Sequence, residues 1–89
     1  MKKQTILQEA QGLVHGDRAK AYGSAADNFT CWANLCVATG RPGLASITAE
    51  DLAILMILLK IARDTNLAKR DNAVDIAGYA DILDQVRGL

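Results

Sequence analysis

Aromatic residues are scarce in this chain: one Phe, one Trp and two Tyr among 89 residues. A core of stacked rings is therefore excluded, and burial must come from Leu, Ile, Val, Ala and Met. Net charge is lacking too, because ten Lys and Arg balance ten Asp and Glu. A neutral chain has no basic surface with which to displace counterions, so non-specific binding to DNA or RNA is not expected. There are two cysteines and one histidine. Cys31 and Cys36 would point about 140° apart on a helix, which keeps them from bonding while the helix is intact. Without a C-x-x-C pair and with a single His, no zinc site assembles at the usual spacings. Long apolar runs are missing as well. The longest, Leu52 to Leu59, lies between Asp51 and Lys60 and is less than half a membrane span. Met1-Lys2-Lys3 opens like a signal peptide, but Gln4, Thr5, Gln8 and Glu9 follow where an apolar stretch would be needed. No export signal, no membrane contact and a cytoplasmic location are the expectations.

What is present is a helical pattern. Hydrophobic residues make up 51% of the chain, enough for a globular fold, and the length suits one domain over residues 1–89. Four helices fit, at about 5–15, 24–39, 48–64 and 71–87. Thr5 followed by Gln8 is a capping-box signature, and Ile6, Ala10, Leu13 and Val14 share one face until Gly16. Ser24 starts the second helix, whose stripe of Phe29, Trp32 or Ala33, and Cys36 is expected in the core. Gly40-Arg41-Pro42-Gly43 stops it. Thr48 caps the third helix, with Glu50 and Asp51 at the positive end of its dipole. Its middle, Ala53 to Leu59, is apolar on every side, so burial on every side is expected. A four-helix monomer of this size struggles to cover such a helix. We therefore expect an all-α, four-helix bundle-like domain completed by homo-oligomerisation through residues among Ile54, Met56, Ile57 and Ile61. In the fourth helix Val74, Ala77, Ala80 or Tyr79, Leu83 and Val86 form the apolar series, and Gly78 permits close packing.

Two polar segments stand out from this apolar body. One is His15-Gly16-Asp17-Arg18 with Tyr22-Gly23. The other runs from Lys60 and Arg63 to Asp71, Asn72 and Asp75. A six-residue connection makes the third and fourth helices antiparallel neighbours, which brings Lys60 and Arg63 to face Asp71 and Asp75. Asp71, Asp75 and Tyr79 step by four along one stripe. One reading is a structural ion-pair cluster favoured by the two helix dipoles. The other is a ligand site. There Arg18, Lys60 and Arg63 hold phosphate, while Asp71 and Asp75 bind Mg²⁺ or a base or sugar hydroxyl. His15, Asp17, Tyr22 and Asn72 complete that candidate pocket. The same alternatives stand for the first segment, where Gly16 can be a plain helix stop and Asp17 a cap.

These strings resemble small phage and prophage proteins of an uncharacterised family. The likeness rests on His15-Gly16-Asp17-Arg18 with Tyr22-Gly23 and Asn28-Phe29, on Glu50-Asp51-Leu52-Ala53 with Leu58 to Arg63, and on Asp71 to Ala80. It covers nearly the whole chain and implies a phage origin. A weaker resemblance is to the all-α MazG-like nucleoside triphosphate pyrophosphohydrolases, which bind Mg²⁺ through an E-x-x-E pair and an E-x-x-D pair. Aligned so, Glu50 and Ala53 fall at the first pair and Asn72 and Asp75 at the second, leaving two of four carboxylates absent. Glu50 would also lie ~15 Å along the helix from Lys60.

The expected function is thus a phage-encoded oligomeric protein that binds a nucleotide or other phosphate-bearing ligand without efficient hydrolysis. The alternatives are a non-catalytic adaptor or inhibitor of a host protein, and a Mg²⁺-dependent pyrophosphohydrolase of the MazG type.

Overall fold

The computed structural model describes residues 3–16 and 23–88. They form α1 (Ile6–His15), α2 (Ala25–Ala38), α3 (Ala49–Asn66) and α4 (Arg70–Arg87), with a short 3-10 turn at Pro42–Leu44 between α2 and α3. Among the described residues there is no strand. Each of the first three helices starts where a polar side chain satisfies a free backbone amide. The Thr5 hydroxyl accepts from the Gln8 amide at 3.2 Å while the Gln8 carboxamide accepts from the Thr5 amide at 2.9 Å. Thr48 and Asp51 repeat this reciprocal pair at 3.2 and 3.0 Å, and Ser24 accepts from the Asp27 amide at 3.1 Å. Such caps fill donors that no helical carbonyl can reach. After α2 the chain turns at Gly40, whose φ of +75° favours a residue without Cβ.

The α3–α4 hairpin is the spine of the molecule, and α4 touches every other helix. Its antiparallel register is marked by ion pairs at both ends: Glu50 with Arg87 at 2.9 Å, and Lys60 with Asp75 at 2.8 Å. Against α4 lies α1, running in the same direction, since Glu9 meets Arg70, the Val14 methyl approaches the Gly78 backbone, and His15 meets Asp81. The core is small and aliphatic: Ala10, Ala33, Leu52, Ala53, Val74 and Ile82 are its buried apolar members.

One expectation about burial fails. Trp32 is 39% exposed rather than in the core. Helix α2 meets the spine through Ala33, and one residue earlier the indole comes to the rim of a groove. Helix α3, expected to exceed what four helices of this size can cover, is left partly open by its own chain. Leu52 and Ala53 are covered, but Ile54, Leu55, Leu58, Leu59 and Ile61 stand outward. Three helices cannot enclose a fourth when α1 lies on α4 instead. Of the residues expected at an interface, Ile54 and Ile61 are exposed while Met56 and Ile57 are half-buried, and Met56 lines that groove. Helix α4 begins at Arg70, one residue before the expected Asp71.

Candidate functional site at the hairpin mouth

Where α3 ends and α4 begins, the two helices leave a concavity lined by Lys60, Arg63, Lys69, Asp71, Asn72 and Asp75. The four charged residues that the sequence places together, two cations and two carboxylates, all line this mouth. Lys60 is the deepest charge, its side chain 14% exposed, and it pairs with the half-buried Asp75. Of the candidate partners for Asp75, the ammonium of Lys60 is therefore the one it meets. Arg63 and Asp71 form no ion pair among the described residues.

The connection is held by a residue that sequence reasoning passed over. Asp64 Oδ1 accepts from the Lys69 backbone amide at 3.2 Å and from Asn72 Nδ2 at 3.1 Å. Asn72 is buried, so its amide needs that acceptor. Lys69, the N-cap of α4, supplies no side-chain cap of its own, and Asp64 reaches across to order this corner. The signal was available: Asp64 lies one turn beyond Lys60, on the stripe that faces the start of α4. Lys69 was also missed, and it adds a third cation to the mouth.

The remaining candidates divide. His15 Nε2 lies 2.6 Å from Asp81 Oδ2, which also accepts from Gln85 Nε2 at 3.1 Å. His15 lines neither the mouth nor the groove beside it, and it serves to pin the end of α1 to the middle of α4. Asp17, Arg18 and Tyr22 lie outside the described residues. Glu50, which a MazG-like alignment would use, is paired with Arg87 at the opposite end of the hairpin. No group of three or more His, Cys, Asp or Glu able to hold a metal occurs among the described residues. Asn72, the position where that alignment wants an acid, donates to Asp64. The pyrophosphohydrolase likeness gains no support. Cys31 and Cys36 are free thiols, and no helix among the described residues is long and apolar enough to cross a membrane.

A second concavity adjoins the mouth. It is an apolar groove between α1, α2 and α4, and Asp75 lines both. Phe29 and Trp32 meet edge to face there at 5.5 Å, and Tyr79 lies 6.3 Å from Phe29.

Residues 5–87 match the family described as "Domain of unknown function (DUF6378)". The chain is 43% identical over 84 residues to the Gene 55 protein of Mycobacterium phage L5. It is 40% identical over 84 residues to the Gene 55 protein of Mycobacterium phage D29. These alignments cover 93% of this chain, but 53% and 54% of the phage proteins, so the chain spans about half the length of the relatives it matches. No solved structure matches it.

Proposed function

This chain belongs to the DUF6378 family, and we propose that its hairpin mouth binds a phosphate-bearing small molecule without hydrolysing it efficiently. The observation that carries this reading is the balance of charge. Lys60, Arg63 and Lys69 line the mouth against Asp71 and Asp75, and Lys60 already neutralises Asp75. Among the lining residues Arg63 and Lys69 are then left against Asp71, the half-buried Asp64 being engaged by the Lys69 amide and Asn72, and these two exposed cations favour an anion. The N-terminus of α4 opens at the same place, so its unpaired amides add to the positive potential. Arg63 brings the fork that suits phosphate oxygens. Asp75 is held by Lys60, which leaves Asp71 alone among the lining carboxylates to meet a metal, whereas hydrolysis between phosphates needs several acids free to share a Mg²⁺ cluster. Mg²⁺ would enter as a companion of the ligand's own phosphates, with Asp71 as its contact. The similarity to proteins of two mycobacteriophages supports a phage or prophage origin.

The test is calorimetric titration with inorganic tripolyphosphate, with and without Mg²⁺, on the wild type and on Arg63→Ala with Lys69→Ala. Saturable binding that weakens at least tenfold in the double variant is expected, as is no release of phosphate above background. Absence of binding by the wild type would leave the host-protein adaptor as the better reading, and metal-dependent turnover lost in Asp75→Asn would restore the enzyme.

A second reading concerns assembly and rests on the outward stripe Ile54, Leu55, Leu58, Leu59 and Ile61 of α3. Contiguous apolar surface of this kind on a small protein marks an interaction face. The occupant that fits best is a second copy, because an apolar helical stripe is complementary to itself about a two-fold axis.

A further inference from the structure

Taking the mouth as a phosphate site, we propose that the adjoining groove receives the nucleobase, so that the ligand is a nucleoside phosphate with Asp75 at the joint. The first argument is where the rings are. The chain has four aromatic residues, and three of them, Phe29, Trp32 and Tyr79, line this one groove. They do not form a core there: Trp32 is 39% exposed and Phe29 and Tyr79 are half-buried. A protein that builds its core from aliphatic residues has thus set its rings around an open slot. Stacking on such rings is how proteins hold bases with little regard to sequence.

The second argument is size and polarity. The groove measures about 530 Å³, within the range of small-molecule sites. Its floor is apolar, with Met56 and Val74, and its polar groups are few: Asn28 and Asp75 alongside the Tyr79 hydroxyl. Asn28 offers both a donor and an acceptor, which is what the edge of a base requires. Asp75 uses Oδ2 for Lys60, and among the described residues its Oδ1 has no ion partner, leaving it able to accept from a sugar hydroxyl or an exocyclic amine.

The third argument is distance. Asp71 lies in the mouth, Asp75 in both concavities, and Tyr79 in the groove. They occupy successive turns of α4, so the line from Asp71 to Tyr79 is ~12 Å. A nucleotide laid along that stripe would have its phosphates by Arg63 and Lys69 and its base by Tyr79.

The chain has a single tryptophan, and it stands in the groove, so its emission reports base binding directly. The experiment titrates the wild type with inorganic tripolyphosphate and, separately, with each common ribo- and deoxyribonucleoside triphosphate. Trp32 emission and calorimetric affinity are read together. At least one nucleotide should bind about tenfold or more tightly than tripolyphosphate and quench Trp32, whereas tripolyphosphate should leave the emission unchanged. Asn28→Leu, at an exposed position on α2, should reduce the nucleotide's affinity to that of tripolyphosphate without altering tripolyphosphate binding. Ala25→Leu, which narrows the same groove, serves as an independent second variant. If every nucleotide binds no better than tripolyphosphate with Trp32 unmoved, the groove assignment is overturned while the phosphate mouth stands. If neither class of ligand binds, both readings fall. Tight nucleotide binding that neither variant weakens also overturns the groove.

Discussion

Asp64, Asn72, Lys60 and Asp75 show how differently four polar side chains in one corner are held. Asn72 is buried and depends on a single carboxylate for its amide. The same carboxylate takes the Lys69 amide, so its loss strands a buried donor and uncaps α4 together. Asp64→Ala should cost about 2–3 kcal/mol in chemical denaturation, from an unsatisfied buried amide and a lost cap. Asp64→Asn, which keeps an acceptor oxygen, should cost clearly less. Asp75 is a weaker case than a fully buried partner would be. Breaking a buried pair costs about 3–5 kcal/mol and an exposed one under about 1. With Lys60 at 14% and Asp75 at 32% exposure, Asp75→Ala belongs between, at about 1–3 kcal/mol. A loss below 0.5 kcal/mol for both Ala variants, the level of an unremarkable surface site, would refute this account of the corner.

At the scale of elements, the helices were legible because their signals are local. Thr5 with Gln8, Ser24 with Asp27, and Thr48 with Asp51 each announce a start within four residues, and all three form the expected hydrogen bonds. Helix α4 carries no such signal, since Lys69 caps nothing. Its start is set by Asp64 from another helix, which explains the one-residue error there. Removing the α3 cap should weaken the element that carries Lys60 and Arg63. Thr48→Ala is expected to cost about 1 kcal/mol, read as a lower denaturation midpoint with an unchanged slope. The reverse outcome, no change in midpoint, would mean that α3 is held by packing alone. The all-apolar character of α3 was also plain, but which of its sides stays open was not. Periodicity says that a helix has no polar face, and it does not say what covers each side.

For the molecule as a whole, the radius of gyration is 14.2 Å with extents of 50 × 33 × 24 Å. A compact chain of this length would have a radius near 12 Å, so the four helices are spread and leave apolar surface in the open. The outward stripe of α3 is where that surface concentrates. Sedimentation at micromolar concentration should show a dimer or a larger assembly, and Leu58→Glu should return it to monomer by placing a charge at the centre of the stripe. A wild type sedimenting cleanly at the monomer mass would remove the second copy from the account.

Helix positions, the α3–α4 hairpin and the meeting of Lys60, Arg63, Asp71 and Asp75 at its mouth follow from the sequence alone. Each depends on caps, on a 3.6-residue period, and on a connection too short for anything but antiparallel neighbours. Tertiary structure decided the rest. Only packing reveals that α1 runs parallel to α4, because the link from α1 to α2 constrains no direction for α1 on the hairpin. It is that placement which gives His15 to Asp81 rather than to the mouth. Only packing sets Trp32 at a rim instead of in the core, since Phe29, Trp32 and Ala33 share a helical face and a small rotation of α2 chooses which is covered. The choice of Lys60 over Arg63 for Asp75, and of Asp64 for Asn72, is likewise three-dimensional: periodicity selects a face, but hydrogen bonds are made to one atom at about 3 Å.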